Sequence, residues 1–110
     1  MKLENLEIVN SKGDVVMRLS GNHLSNGGGS VTFYQDGTQH MVMTVGHGVP
    51  SVTIGKQKSN QICLGFDEKY LPSFVVREAS GRMLYRVSME NESTVSVMAS
   101  SRIILEKEII

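Results

Sequence analysis

An all-β fold, built as an up-and-down meander of about ten antiparallel strands, is what this sequence predicts, and three observations carry the prediction. Val, Ile and Thr occur 13, 7 and 5 times against only two alanines, Ala79 and Ala99, a bias toward branched side chains that fit a pleated surface. Apolar residues recur two apart, the spacing that puts both on one face of a strand. Short polar segments containing Gly separate these alternating runs and supply the backbone angle that tight reversals need.

Taken in order, the first segments of five successive units carry Leu6/Ile8, Val31/Phe33, Val52/Ile54, Phe74/Val76 and Val95/Val97. Their second segments carry Met17/Leu19, Met41/Met43, Ile62/Leu64, Tyr85/Val87 and Ile103/Leu105. The units start 25, 21, 22 and 21 residues apart, so the chain reads as five tandem hairpins covering about 5–21, 30–46, 51–66, 73–89 and 94–106 of a single domain, 1–110. Between the inward pairs stand Glu7, Arg18, Thr32, Val42, Thr53, Cys63, Val75, Arg86, Ser96 and Ile104, which makes the opposite face mostly polar. Asn10-Ser11-Lys12-Gly13-Asp14, Gln35-Asp36-Gly37-Thr38 and Glu78-Ala79-Ser80-Gly81-Arg82 reverse units one, two and four. Units three and five use Lys58-Ser59-Asn60 and Ser100-Ser101, for which looser turns of another type are expected. Asn22 to Ser30, Gly46 to Pro50, Asp67 to Pro72 and Glu90 to Ser93 are expected as return loops, and any helix is expected only around Glu106-Lys107-Glu108, because no longer window holds a helical apolar period.

Units such as Leu6 to Leu19 and Phe74 to Val87, each a strand, a short Asn- or Gly-containing turn and a strand, resemble the tandem β-hairpin repeats of bacterial and phage fibre-like proteins. That resemblance implies self-assembly through sheets, with threefold symmetry a frequent form, and it assigns no site residue.

Composition narrows the function classes. Eleven Lys plus Arg balance eleven Asp plus Glu, so no basic field gathers nucleic acid. The one cysteine, Cys63, forms no intrachain disulfide, and the start Met1-Lys2-Leu3-Glu4-Asn5 lacks a secretory pattern. The expected location is the cytoplasm of a host cell, or the virion if the chain is phage-encoded. Apolar runs are far shorter than the roughly 20 residues that cross a bilayer as a helix, so no membrane partner is expected.

Ten strands holding about twenty inward side chains leave two open edges. Either the sheet closes as a sandwich or barrel, or copies of the chain cover one another as an oligomeric, β-prism-like assembly. Val42, Cys63, Val75 and Ile104 on the outer face, with Ile109 and Ile110 at the end, favour a homo-oligomer, a trimer first and a dimer second, and leave open contact with another protein.

No catalytic constellation emerges. His23, His40 and His47 lack the i, i+2 pairing of ligands on one strand, so no metal is expected, and no cofactor motif is present. Thirteen serines and three histidines make a paper triad inevitable, and no Gly-x-Ser-x-Gly elbow supports one. Cys63 has no adjacent base to activate it. An enzyme is therefore not expected. Asn26-Gly27-Gly28-Gly29-Ser30 could expose successive backbone N–H groups to an anion, and Arg18 and Arg86 occupy matching outward positions. Gly27, Gly28, Gly29, Ser30, Arg18 and Arg86 are thus the candidate ligand set of an alternative function, the sequestering of a small anion or nucleotide in loops or subunit clefts.

Overall fold

The computed structural model describes residues 2–23, 28–46, 48–67, 69–99 and 102–108, with the backbone alone for residues 22, 23, 46 and 102–108. Its strands are β1 (Asn5–Val9), β2 (Val15–His23), β3 (Gly28–Gln35), β4 (Thr38–Gly46), β5 (Val49–Ile54), β6 (Gln61–Phe66), β7 (Pro72–Arg77), β8 (Met83–Met89), β9 (Thr94–Ala99) and β10 (Arg102–Glu108). They form one antiparallel sheet in sequential order, β1 through β10. No helix occurs among the described residues, and the Glu106-Lys107-Glu108 segment, where a helix was conceivable, is strand. Among the described residues the sheet is open, with its first and last strands at its two edges, and the expected sandwich or barrel closure is not seen.

Register follows the apolar alternation from strand to strand. Leu6 stands opposite Leu19, Leu19 opposite Val31, Val31 opposite Met43, Met43 opposite Val52, Val52 opposite Leu64, Leu64 opposite Phe74, and Phe74 opposite Val87. A second row runs through Ile8, Met17, Phe33, Met41, Ile54, Ile62, Val76 and Tyr85. Directly opposed residues of an antiparallel pair share a face, so one side of the sheet is apolar nearly from edge to edge. At the last pair the spacing is interrupted. Ile103 stands opposite Met98 and Leu105 opposite Val97, with a register shift between them, so Ile103 and Leu105 do not continue one row as the spacing predicts.

Three other shifts fall at matching places. Val16, His40 and Leu84 are each skipped by the pairing just before Met17, Met41 and Tyr85. Such an extra residue bends its strand and increases local twist. His40 is thus a half-buried bulge residue.

The turns divide into two kinds. Asp36 (φ 51) and Gly37 (φ 74) make a two-residue turn between the paired Gln35 and Thr38, the left-handed pair that matches strand twist. Turns 10–14, 67–71 and 78–82 instead share one hydrogen-bond pattern. The first N–H donates to the fifth carbonyl and the fourth N–H donates to the first, at 2.8–3.0 Å. The fourth residue, Gly13, Tyr70 or Gly81, has φ of 86°, 61° or 93°. The expected return loop at 67–71 is thus as tight as the turns within the predicted hairpins. Lys58 (φ 66) takes the left-handed position in the third-unit turn, which lacks a central Gly.

A bulky side chain at positive φ costs roughly 1–2 kcal/mol, and the Tyr70 ring stacks on Phe66 at 4.5 Å, 17° from parallel, a contact worth roughly 0.5–1.5 kcal/mol. Tyr70→Ala should lose the contact and keep the strain, costing about 1 kcal/mol, whereas Tyr70→Gly should fall near wild type. Urea unfolding of the two variants separates strain from stacking.

Glu78 closes the 78–82 turn by accepting from the Ser80 hydroxyl at 2.8 Å and from Arg82 Nε at 3.0 Å. The Ser80 bond foremost, then Arg82, holds its carboxyl below the ordinary carboxylate range. A depressed native pKa favours the fold above the unfolded value and is lost as pH falls through the native one. Ser80→Ala should move the Glu78 titration upward, read by carboxyl NMR shifts.

Candidate interaction surface

Burial is distributed opposite to the expected pattern. The fully buried class among the described residues contains no hydrophobic side chain, and its members are Thr32, Ser88 and Ser96, at 7%, 9% and 0% exposure. All three belong to the face opposite the apolar rows. The predicted dry side is instead wet: Leu6, Ile8, Leu19, Met43, Val45, Ile54, Ile62 and Leu64 are each 37–45% exposed. The physical reason is the single layer. A sheet buries a face only against something else, and among the described residues each strand contacts its sheet neighbours, with a minor contact between β2 and β4. The Cα radius of gyration is 16.6 Å, against about 13 Å for a compact chain of this length.

The apolar rows do not lie on a flat surface. Over β1 to β6 the first of them floors an open groove of about 920 Å3 with Leu6, Leu19, Val31, Met43, Val52 and Leu64. Val45, Pro50 and Phe66 form its end at the rim of the same face. That floor offers few hydrogen bonds and favours the exclusion of water, and Glu4, Ser20, Ser30, Thr44, Ser51 and Ser73 complete the lining.

The second face is built differently. Asn5, Ser20, Ser30, Thr44, Ser51, Gly65, Ser73, Ser88 and Ser96 follow one another in register across nine strands. Beside them runs Glu7, Arg18, Thr32, Val42, Thr53, Cys63, Val75, Arg86 and Met98. Glu7 and Arg18 form a cross-strand ion pair at 2.8 Å, with Arg18 5.7 Å above the Tyr34 ring. Glu7, by hydrogen bond and charge, and Tyr34 hold the Arg18 guanidinium more firmly protonated than usual.

Of the predicted interface residues, Val42, Cys63 and Val75 share that second-face row over four adjacent strands and are half-buried. The Cys63 Sγ lies 3.8 Å from the Thr53 hydroxyl. Ile104 is described by backbone alone, and Ile109 and Ile110 lie outside the described residues. The candidate anion set does not converge. Gly28, Gly29 and Ser30 belong to β3 instead of a loop, with Ser30 paired to Ser20 and Thr44. Gly27 lies outside the described residues. Arg18 and Ser30 line one polar cleft of about 690 Å3, but Glu7 lines it too and neutralises the cation. Arg86 sits on β8, six strands from Arg18, roughly 29 Å at about 4.8 Å per strand. Among the described residues no three His, Cys, Asp or Glu side chains come together as a metal cluster. His47 lies outside them, as does the His23 side chain.

Sequence reasoning missed the groove, whose only signal was the line of residues two apart; curvature, not spacing, makes it concave. Comparison with known proteins finds no family, no curated protein and no solved structure that matches this chain. No helix is long and apolar enough to cross a membrane among the described residues.

Proposed function

We propose that the protein is a non-enzymatic structural or interaction module whose activity is self-association through its sheet, in the manner of phage or virus assembly components. The supporting observation is the uncovered apolar face: eight large side chains at 37–45% exposure on one side and no buried hydrophobic residue among those described. An isolated two-dimensional sheet of this kind gains little of the burial that offsets chain entropy. Copies of the chain that cover one another would supply the missing layer, and the five hairpin units would serve as a repeated way of widening that layer.

Light scattering during size exclusion, run from nanomolar to high micromolar protein, tests the reading. A stable oligomer with a cooperative, concentration-dependent melt is expected, since association stabilises by mass action. A strict monomer across that range overturns it.

A further inference from the structure

We infer that the partner of the apolar face is the same face of a second copy, giving a two-layer dimer with the Ser/Thr-rich faces outward. The inference rests on the self-association reading and adds to it the face, the occupant and the copy number.

Area argues for a protein partner. Eight side chains at 37–45% exposure leave on the order of 600 Å2 of apolar surface in water, and the half-exposed residues between them raise this toward the ~800 Å2 per partner of a standard interface. Chemistry argues for a like partner. The groove floor from Leu6 to Leu64 is apolar, with Glu4 the one charged residue of the lining, so it selects by dryness more than by charge, which a second copy of the same surface satisfies by twofold symmetry. Thickness argues for two copies. Sheets pack face to face about 10 Å apart, so each side's residues fill about 5 Å. The long axis of the molecule is 50 Å. Three such walls set as a prism would leave the centre roughly 14 Å from each, a hollow that side chains reaching about 5 Å do not fill. Two facing layers leave between them only their two grooves, each about 920 Å3, a smaller hollow than that of the threefold arrangement expected from the sequence.

The second face is the poorer contact by the same measures. One of its rows is Asn, Ser, Thr and Gly, and the other carries charge toward both sides, Glu7 and Arg18 on β1 and β2 and Arg86 on β8, flanking the half-buried Val42, Thr53, Cys63 and Val75.

Native mass spectrometry of the full chain gives the copy number, and peroxide footprinting of the same protein gives the face. Met43 is 44% exposed in one copy; in the dimer its oxidation to the sulfoxide should slow about tenfold or more relative to urea-unfolded protein. Met43→Lys and Leu64→Lys should yield monomers with β-sheet circular dichroism retained. Thr53→Lys, a charge between Val42 and Cys63 on the second face, should leave the dimer intact. A monomer, with or without a retained apolar molecule, overturns both the dimer and the self-association reading. A trimer or larger species overturns the copy number and leaves self-association standing. An oligomer with Met43 oxidised at the unfolded rate, or one dissociated by Thr53→Lys alone, overturns the face. Should the lysine variants unfold, the wild-type footprint decides.

Discussion

Gly55→Ala should lower stability by about 3 kcal/mol, combining roughly 1–3 for backbone strain with roughly 1–3 for overpacking. Gly55 begins the turn between β5 and β6 at φ +131°, and a Cβ there would stand 2.7 Å from the Asn60 carbonyl oxygen and 3.1 Å from Gln61 Cα. Both obstacles are backbone, so neither swings aside. The residue also ties the turn to the next strand, because its N–H donates to the His40 carbonyl at 2.9 Å. Relieving the clash by moving the turn would break that bond at the bulge. Gly13→Ala makes the comparison: φ is +86° and nothing lies within 4 Å of the added carbon, so strain alone should cost about 1 kcal/mol. Urea unfolding of the two alanine variants gives the difference, and equal midpoints would refute the close-approach argument.

Strand order and register were legible because alternation is a property of neighbours in sequence. Leu6 and Ile8, Met41 and Met43, or Phe74 and Val76 face one way whatever the sheet does next, and tight turns then force sequential pairing. The bulges were not legible. That Val16, His40 and Leu84 are skipped depends on the partner strand, and a single chain segment shows no sign of it. Tyr70 hid the turn at 67–71 because the left-handed position there holds a ring instead of glycine, and the ring is held by Phe66, four residues back.

Which face would be dry was the part the pattern misjudged. Hydropathy tells which side wants to leave water, not whether a second layer exists to receive it. Small side chains in register across the second face are shielded by adjacent strands, which is how Ser96 reaches 0% exposure in a one-layer sheet. Its hydroxyl has no hydrogen-bond partner, so burial there comes from crowding and not from a polar network. The apolar rows, with larger side chains, receive less shelter: their members are half-buried or exposed, and none is fully buried.

That crowding sets the second large effect. Gly65→Val should cost about 3 kcal/mol, the upper end of the roughly 1–3 expected for overpacking. Gly65 stands opposite Ser51 and Ser73 in the middle of the sheet. A Cβ on it would lie 2.8 Å from the Pro50 carbonyl oxygen and 3.1 Å from Ser51 Cβ, where opposed Cβ atoms of antiparallel strands are usually about 4.5–5.5 Å apart. Valine adds two methyls to a site already too near for one carbon, so β5 and β6 must part at this pair. Parting them shifts Val52 and Leu64, adjacent to Ser51 and Gly65 in the chain and paired with each other at the β5–β6 end of the groove floor. A local fault on the small-residue face should therefore reach the apolar one. Gly65→Ala should show the same fault at smaller size. Hydrogen exchange of β5 and β6 amides in both variants, set against the global unfolding energy, locates the effect. Unchanged protection at Val52 and Leu64 in Gly65→Val would show that the two faces are mechanically independent.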